Sequence, residues 1–219
     1  MKLVIFDVDG TLVDSQAIIV DSMAAGFAAA GLPDPGREAA LSIVGLSLPV
    51  AMATLAPQAD AAQLAALTDG YRAAYHQRLA LSGSAASAPL FPGALEALRR
   101  LEGPERLLAV ATGKGRRGLD SLLDAHGITK AFVTTQTADD ALSKPHPAML
   151  HNILAATGSE AAAAVMVGDT TYDMEMAVAA GVRPVGVSWG YHRPEALRAA
   201  GAATIIDSFE AIDAALEAV

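Results

Sequence analysis

Two aspartates stand two positions apart, directly after a short apolar run near the start of the chain. Residues 3–6 are all apolar, and the sequence continues with Asp7, Val8, Asp9, Gly10 and Thr11. On an extended chain, residues two apart point to the same side, so the carboxylates of Asp7 and Asp9 would face one ligand. Gly10 permits the turn that aims both carboxylates.

Polar residues also gather after later apolar runs. In an open α/β sheet, ligands bind outside the carboxyl ends of the strands, so polar residues at several strand ends would meet at one edge. Three more stretches of this kind, at or beside predicted strand ends, are residues 112–114 (TGK), 143–147 (SKPHP) and 168–173 (GDTTYD).

The aspartates of these stretches predict a metal site. Together they would bring up to four negative charges to the edge: Asp7, Asp9, Asp169 and Asp173. Two like charges ~4 Å apart at an effective dielectric near 20 cost roughly 4 kcal/mol, so the cluster needs a hard cation. Ligands that are all oxygen suit Mg²⁺, which keeps waters and leaves a position for a phosphate oxygen.

The cations and small residues of the same stretches predict a phosphate site beside the metal. Lys144 supplies a positive point charge, and Thr112 supplies a hydroxyl. The backbone N–H groups of Gly113 and Lys114 sit at a turn where they could face a phosphate.

The elements that must position these residues follow from the apolar pattern. Six short apolar runs are typical of buried parallel strands, and helical patterns separate those after residue 90. We therefore expect an α/β fold with a doubly wound parallel sheet. The predicted strands are residues 3–6, 107–111, 131–134, 163–167, 184–187 and 203–206, and the helices between them are 94–101, 118–126, 147–157 and 171–180.

The segment between the first two strands breaks this rhythm. Residues 15–88 contain helical spacings, such as Ile19, Met23 and Phe27, but no convincing strand. The segment is too long for a crossover loop. We therefore expect a core domain of residues 1–14 and 89–219 with a helical cap domain of residues 15–88 inserted into it. Residues 81–89 are small and predict a flexible linker back to the core.

Composition limits the partners. The chain has 219 residues, a formal net charge of −9 and no cysteine. We expect a cytoplasmic protein without a signal peptide, a monomer or homodimer, that binds neither nucleic acid nor membrane. With this net charge, a small anionic ligand is expected only where a metal or a few placed cations reverse the field locally.

Four motifs in this order resemble those of the haloacid dehalogenase superfamily: FDVDGTL, ATGK, SKPHP and GDTTYD. The long helical insertion after the first motif is similar to the cap of the branch that contains phosphoglycolate phosphatase and β-phosphoglucomutase. The resemblance covers the whole chain, including residues 91–94 and 187–191.

The resemblance implies a Mg²⁺-dependent phosphatase that acts on a small phosphorylated metabolite, such as phosphoglycolate. It also implies a role for each motif residue. Asp7 would be the nucleophile that forms an aspartyl-phosphate, and Asp9 would be the general acid/base. Asp7, Asp169 and the Asp9 backbone carbonyl would bind Mg²⁺, and Asp173 would support that shell. The remaining candidates would bind phosphate or substrate: Gly10, Thr112, Gly113, Lys114 and Lys144.

Other reactions of the superfamily are separated by single residues. Asp9 favours phosphoryl transfer over dehalogenation, and a cap without lysine excludes the Schiff-base chemistry of phosphonatases. A β-phosphoglucomutase-like enzyme would carry a cap histidine where Ile19 stands, so a phosphomutase remains an alternative, as does a pyrophosphatase. An inactive binding protein of the same fold is the non-enzyme alternative. Candidate substrate-facing cap residues are Arg37, Arg72, His76, Arg78 and residues 45–47.

Overall fold

The computed structural model describes residues 2–217, and within them six strands form one parallel sheet. The strands are β1 Lys2–Phe6, β2 Arg106–Ala111, β3 Thr134–Gln136, β4 Ala164–Gly168, β5 Arg183–Val187 and β6 Thr204–Ile206. Their order in the sheet is β3-β2-β1-β4-β5-β6, so the direction of winding reverses beside β1. The predicted doubly wound α/β fold is confirmed, and its ligand crevice is expected at the carboxyl end of β1.

Helices flank the sheet and fill the segment between β1 and β2. We call α1 to α5 the inserted helices; they occupy the predicted cap, although the predicted domain limits stay a prediction. The helices are α1 Gln16–Ala29, α2 Arg37–Ser42, α3 Leu48–Leu55, α4 Ala61–Ser82, α5 Ser84–Ser87, α6 Ala94–Leu101, α7 Arg116–Ala125, α8 Ala148–Thr157, α9 Thr171–Ala179, α10 Pro194–Ala199 and α11 Ile212–Glu217.

Both faces of the sheet are buried. Val4 and Phe6 of β1 pack in one apolar cluster with α6, α7 and α11. Leu3 and Ile5 point to the opposite face and pack with α8 and α9. A strand covered on both faces needs apolar residues at every position, which explains why the strands were readable as continuous apolar runs.

The inserted helices have an apolar cluster of their own. It joins Met23 and Phe27 of α1 to Met52 of α3 and Leu67 of α4. Helices α1 and α4 lie in close contact at Gly26, which has no side chain to keep them apart. A Cβ on Gly26 would stand only 2.7 Å from the Leu67 carbonyl oxygen. This packing fixes the face of α4 that turns toward the core.

Two predicted elements were wrong in position or character. The third strand was expected at 131–134 but runs over Thr134–Gln136, because an edge strand beside solvent needs no apolar composition. Residues 81–89 were expected to be a flexible linker, yet α4 continues to Ser82 and α5 forms one turn. The small residues let α5 pack on α7, where Ser84 Oγ lies 2.8 Å from Ser121 Oγ.

Among residues 2–217, no helix combines the length and the apolar character that a membrane crossing requires.

Candidate active site

The loop after β1 places Asp7 and Asp9 at the carboxyl edge of the sheet. The Asp7 N–H donates to the Val167 carbonyl at 2.9 Å, so Asp7 continues the pairing of β1 with β4. Gly10 has a φ of 86°, in the left-handed region, and its N–H donates to the Val13 carbonyl at 2.9 Å. Gly10 therefore contributes to this site through the shape of the turn.

Asp169 at the end of β4 lies between two glycines. A Cβ on Gly10 would stand 2.2 Å from Asp169 Oδ2, and a Cβ on Gly190 would stand 2.1 Å from the Asp169 Cβ. Thr11 Oγ1 donates to Asp169 Oδ1 at 2.9 Å, and the Tyr191 N–H donates to Asp169 Oδ2 at 2.9 Å. The carboxylate is held in place from two loops.

Asp7, Asp169 and Asp173 form a fully buried cluster. Each is 0% exposed, and one carboxylate oxygen from each lies within 4.8 Å of the others. Asp173 comes from the first turn of α9, where its Oδ2 accepts from the Thr170 N–H at 3.0 Å as part of a capping box. The fold thus joins three of the four predicted acidic residues in one cluster.

Lys144 holds two of these carboxylates. Its Nζ donates to Asp7 Oδ1 at 2.8 Å and to Asp173 Oδ1 at 2.6 Å, and the residue is only 1% exposed. Burial favours the neutral amine, but the charges of Asp173 and Asp7 outweigh it and raise the pKa of Lys144. The lysine therefore stays an ammonium group inside the core.

The cluster keeps an excess of negative charge. Burial raises the pKa of Asp7 to about 7; Lys144 opposes this rise, and Asp173 adds to it. Burial and the charges of Asp7 and Asp173 also raise the pKa of Asp169 well above its ordinary value. One ammonium does not balance three carboxylates, so a cation would stabilise the ionised cluster.

The cluster fits a hard divalent cation on its own geometry. Among residues 2–217, Asp7 Oδ2 is a buried oxygen without a hydrogen-bond partner. The three donor groups offer only carboxylate oxygen, which suits Mg²⁺ better than a softer metal. The donor set and the free oxygen therefore agree with the metal predicted from the sequence.

The Asp9 carboxylate is not part of this cluster, although Asp9 lines the same cavity as Asp7. Its Oδ1 accepts from Ser15 Oγ at 2.6 Å, and its Oδ2 lies 3.1 Å from Lys114 Nζ. Ser15 Oγ lies in turn 3.1 Å from the hydroxyl of Tyr191. The Asp9 side chain is thus separate from the cation cluster, as its predicted role in proton transfer requires.

The loop after β2 brings the predicted phosphate-binding residues to the same cavity. Thr112 is buried, and its Oγ1 accepts from the Lys114 N–H at 3.2 Å. Gly113 packs against the backbone of the turn between α2 and α3, where a Cβ on Gly113 would stand 2.4 Å from the Gly45 carbonyl oxygen. The absence of a side chain at Gly113 lets the two parts of the molecule meet directly.

The cavity has a volume of about 420 Å³ and lies between the inserted helices and the core. Asp7 and Asp9 line it from the core, whereas Lys144, Asp169 and Asp173 lie behind Asp7 and are not among its described lining residues. On the opposite side it is lined by Ile19, Met23, Ile43, Val44, Tyr71 and Tyr75.

The candidate substrate-facing residues of the cap divide into two groups. Arg72, His76 and residues 45–47 line the cavity. Arg78 pairs instead with Asp21 at 2.9 Å, and Arg37 hydrogen-bonds Gln16; neither is among the described lining residues.

Sequence reasoning did not find the side chains that hold Asp9. Ser15, which contacts Asp9, lies three residues after the end of the first motif, and Tyr191, which contacts Ser15, belongs to the 187–191 stretch. Neither residue type signals its contact by spacing. Tyr75 of α4 was not among the candidates either, yet its hydroxyl accepts a hydrogen bond from Lys114 Nζ.

Comparisons with known proteins agree on one family. The sequence model described as "Haloacid dehalogenase-like hydrolase" matches residues 4–187. The chain is 36% identical over 219 residues to "Probable phosphatase IndB" of Dickeya dadantii, covering 99% of this chain and 94% of that protein. It is 34% identical to a phosphoglycolate phosphatase of Rhodospirillum rubrum, covering 96% of this chain and 89% of that one. A solved hydrolase from Pseudomonas syringae shares the fold, with a TM-score of 0.87 at 24% identity over 100% of this chain and 99% of that one.

Proposed function

This chain is a phosphatase of the haloacid dehalogenase-like hydrolase family, and we propose that it hydrolyses the monoester of a small phosphorylated metabolite with Mg²⁺ as its cofactor. In this proposal Asp7 is the nucleophile and Asp9 the general acid/base. Phosphoglycolate is the first substrate to test, because curated relatives that cover most of this chain carry the name phosphoglycolate phosphatase.

The arrangement of Asp7 is the observation that carries the proposal. Lys144 holds Oδ1 at 2.8 Å, while Oδ2 has no hydrogen-bond partner among the described residues, and Asp7 lines the cavity. Lys144 fixes the orientation of the Asp7 carboxylate, and Asp7 lines the cavity where an ester would bind, which is the arrangement that a nucleophile needs.

The metal would be held by Asp7, Asp169 and the Asp9 backbone carbonyl, with Asp173 supporting the shell. When bound, Mg²⁺ would offset the excess negative charge of the cluster and of the phosphate. Lys144 contributes a fixed positive charge beside the same oxygens.

The reaction proceeds in two half-reactions on the chain's own residues. Asp7 attacks phosphorus, the bond between phosphorus and the ester oxygen breaks, and Asp9 gives its proton to the leaving alkoxide. Asp9 then takes a proton from water, the water oxygen attacks the phosphorus of the aspartyl-phosphate, and Asp7 and inorganic phosphate are released. Thr112, Gly113 and Lys114 lie where they could hold the phosphate oxygens during both steps.

The cavity wall favours hydrolysis over phosphoryl transfer between sugars. Ile19 stands where a β-phosphoglucomutase-like enzyme would carry a histidine, and its apolar side chain lines the cavity. No acid/base group is therefore supplied to a sugar hydroxyl from this position.

A screen of phosphorylated metabolites tests the proposal. The purified protein is incubated with phosphoglycolate, sugar phosphates and pyrophosphate, with Mg²⁺ or with EDTA, and released phosphate is measured. We expect Mg²⁺-dependent release from a monoester and none from the Asp7→Asn variant. Release that EDTA does not affect, or that the variant retains, would contradict the proposed mechanism. Conversion of glucose 1-phosphate without phosphate release would indicate the mutase instead.

A further inference from the structure

Lys114 joins the inserted helices to the predicted acid/base. Its Nζ lies 3.1 Å from Asp9 Oδ2 and donates to the Tyr75 hydroxyl at 3.0 Å. The same nitrogen stands 5.1 Å from the centre of the Tyr75 ring. The lysine side chain is only 10% exposed, so this contact is sheltered from water.

The Tyr75 hydroxyl is held in place by the packing of α4. The Tyr75 ring stacks on Tyr71 one turn earlier, with 5.9 Å between the ring centres and an angle of 25° between the planes. The close packing of α1 on α4 at Gly26 fixes this face of the helix. Tyr75 is therefore a rigid anchor for the end of a long, flexible side chain.

Each oxygen of Asp9 is held by one donor. Ser15 holds Oδ1 at 2.6 Å, from the loop that begins in the core. Lys114 holds Oδ2, and Lys114 is itself held by Tyr75. One half of the Asp9 environment thus depends on a residue of the inserted helices.

We propose that Tyr75 is a positioning residue for catalysis, whose hydroxyl holds the Lys114 ammonium against Asp9 and so fixes the Asp9 carboxylate for proton transfer. This inference rests on the proposed function, in which Asp9 serves both half-reactions. It assigns Lys114 a second task beside phosphate binding. It also makes the site incomplete without α4.

A double-mutant cycle tests this inference. Tyr75→Phe removes only the hydroxyl, and Lys114→Met removes the ammonium while keeping most of the side-chain volume. We expect Tyr75→Phe to lower kcat by about 10-fold, the effect of losing one hydrogen bond to a charged group, with KM within about 3-fold of wild type. In the Lys114→Met background, Tyr75→Phe should have no further effect, because Tyr75 acts through Lys114.

Tyr172→Phe is the matched control. The Tyr172 hydroxyl also joins the core to the inserted helices, donating to the Ser42 carbonyl at 3.1 Å, but it is not in contact with Lys114. We expect kcat of this variant to stay within about 3-fold of wild type. An equal loss of kcat in both tyrosine variants would overturn the proposal. The loss would then come from weaker contact between the inserted helices and the core, and not from the position of Lys114. Additive losses in the double variant, or an unchanged kcat in Tyr75→Phe, would also overturn it.

Crystal structures of the wild type and of Tyr75→Phe give a readout that does not depend on activity. The proposal requires Lys114 Nζ to lie at Asp9 in the wild type and to leave it in the variant. A lysine that stays at Asp9 without the hydroxyl would refute the positioning role. A wild-type protein with this contact but without phosphatase activity would refute the proposed function instead, so the two failures can be told apart.

Discussion

The ammonium nitrogen of Lys144 lies 2.8 Å from Asp7 Oδ1, and both side chains are almost completely buried. Lys144 also contacts Asp173, so one cation serves two carboxylates. The contact fixes the orientation of Asp7 without occupying its second oxygen.

Asp7→Asn should abolish turnover and leave the fold intact. The amide keeps the shape of the side chain but lacks the nucleophilic carboxylate, so phosphate release should fall below about 1% of the wild-type rate. Burial raises the pKa of Asp7 to about 7, so its ionised form destabilises the Mg²⁺-free fold at about pH 8 even with Lys144 beside it. The neutral amide should therefore raise the melting temperature there by about 2–4 °C, the effect of 1 kcal/mol in a chain of this size. A phosphate assay measures the turnover, and circular dichroism measures the fold and the melting temperature. Near-wild-type turnover would exclude Asp7 as the nucleophile.

Lys144→Met should destabilise the protein strongly. The substitution leaves three buried carboxylates without their internal counter-charge, and breaking a buried ion pair from one side costs about 3–5 kcal/mol. Urea unfolding of the Mg²⁺-free protein measures the loss. Lys130→Met is the control, because Lys130 is exposed and should change the free energy of unfolding by less than about 0.5 kcal/mol. Equal unfolding midpoints for the two variants would show that Lys144 does not stabilise the cluster.

Asp9→Asn should slow the enzyme most on esters with poor leaving groups. Alkoxides need a proton as they leave, and general acid catalysis contributes about 10²–10⁴-fold. An activated aryl phosphate leaves without that proton, so its kcat/KM, which reports the first half-reaction, should fall much less. The test compares kcat/KM for an alkyl and an activated aryl phosphate in both proteins. The same loss on both esters would contradict the acid role.

Mg²⁺ should stabilise the protein more as the pH rises. Burial raises the pKa of Asp7 to about 7, so the folded Mg²⁺-free protein binds a proton that the unfolded chain releases near its ordinary pKa. The stability due to this proton is present at low pH and is lost as the pH rises through about 7. Metal and proton compete for the same oxygens, so the rise in melting temperature on adding MgCl₂ should grow between about pH 5 and pH 8. A pH-independent rise would place the metal elsewhere.

The sheet and the acidic cluster could be predicted because their physical signals are local. Buried strands are continuously apolar, and each of these two aspartates comes directly after such a strand: Asp7 after β1 and Asp169 after β4. The edge strand β3 gave no such signal, because its Thr-Thr-Gln sequence is polar. The partner of Lys114 could not be predicted, because helical spacing gives the faces of α4 but not which face meets the core.

Gly10 and Gly190, the two glycines that enclose Asp169, limit which substitutions the chain can accept. Neither Gly10 nor Gly190 supplies a reactive group, yet a methyl group on either would overlap atoms of Asp169. In a saturation library selected for turnover, these two codons should therefore be as intolerant as those of the aspartates themselves. Two positions that supply no reactive group would therefore tolerate as few substitutions as the catalytic residues do.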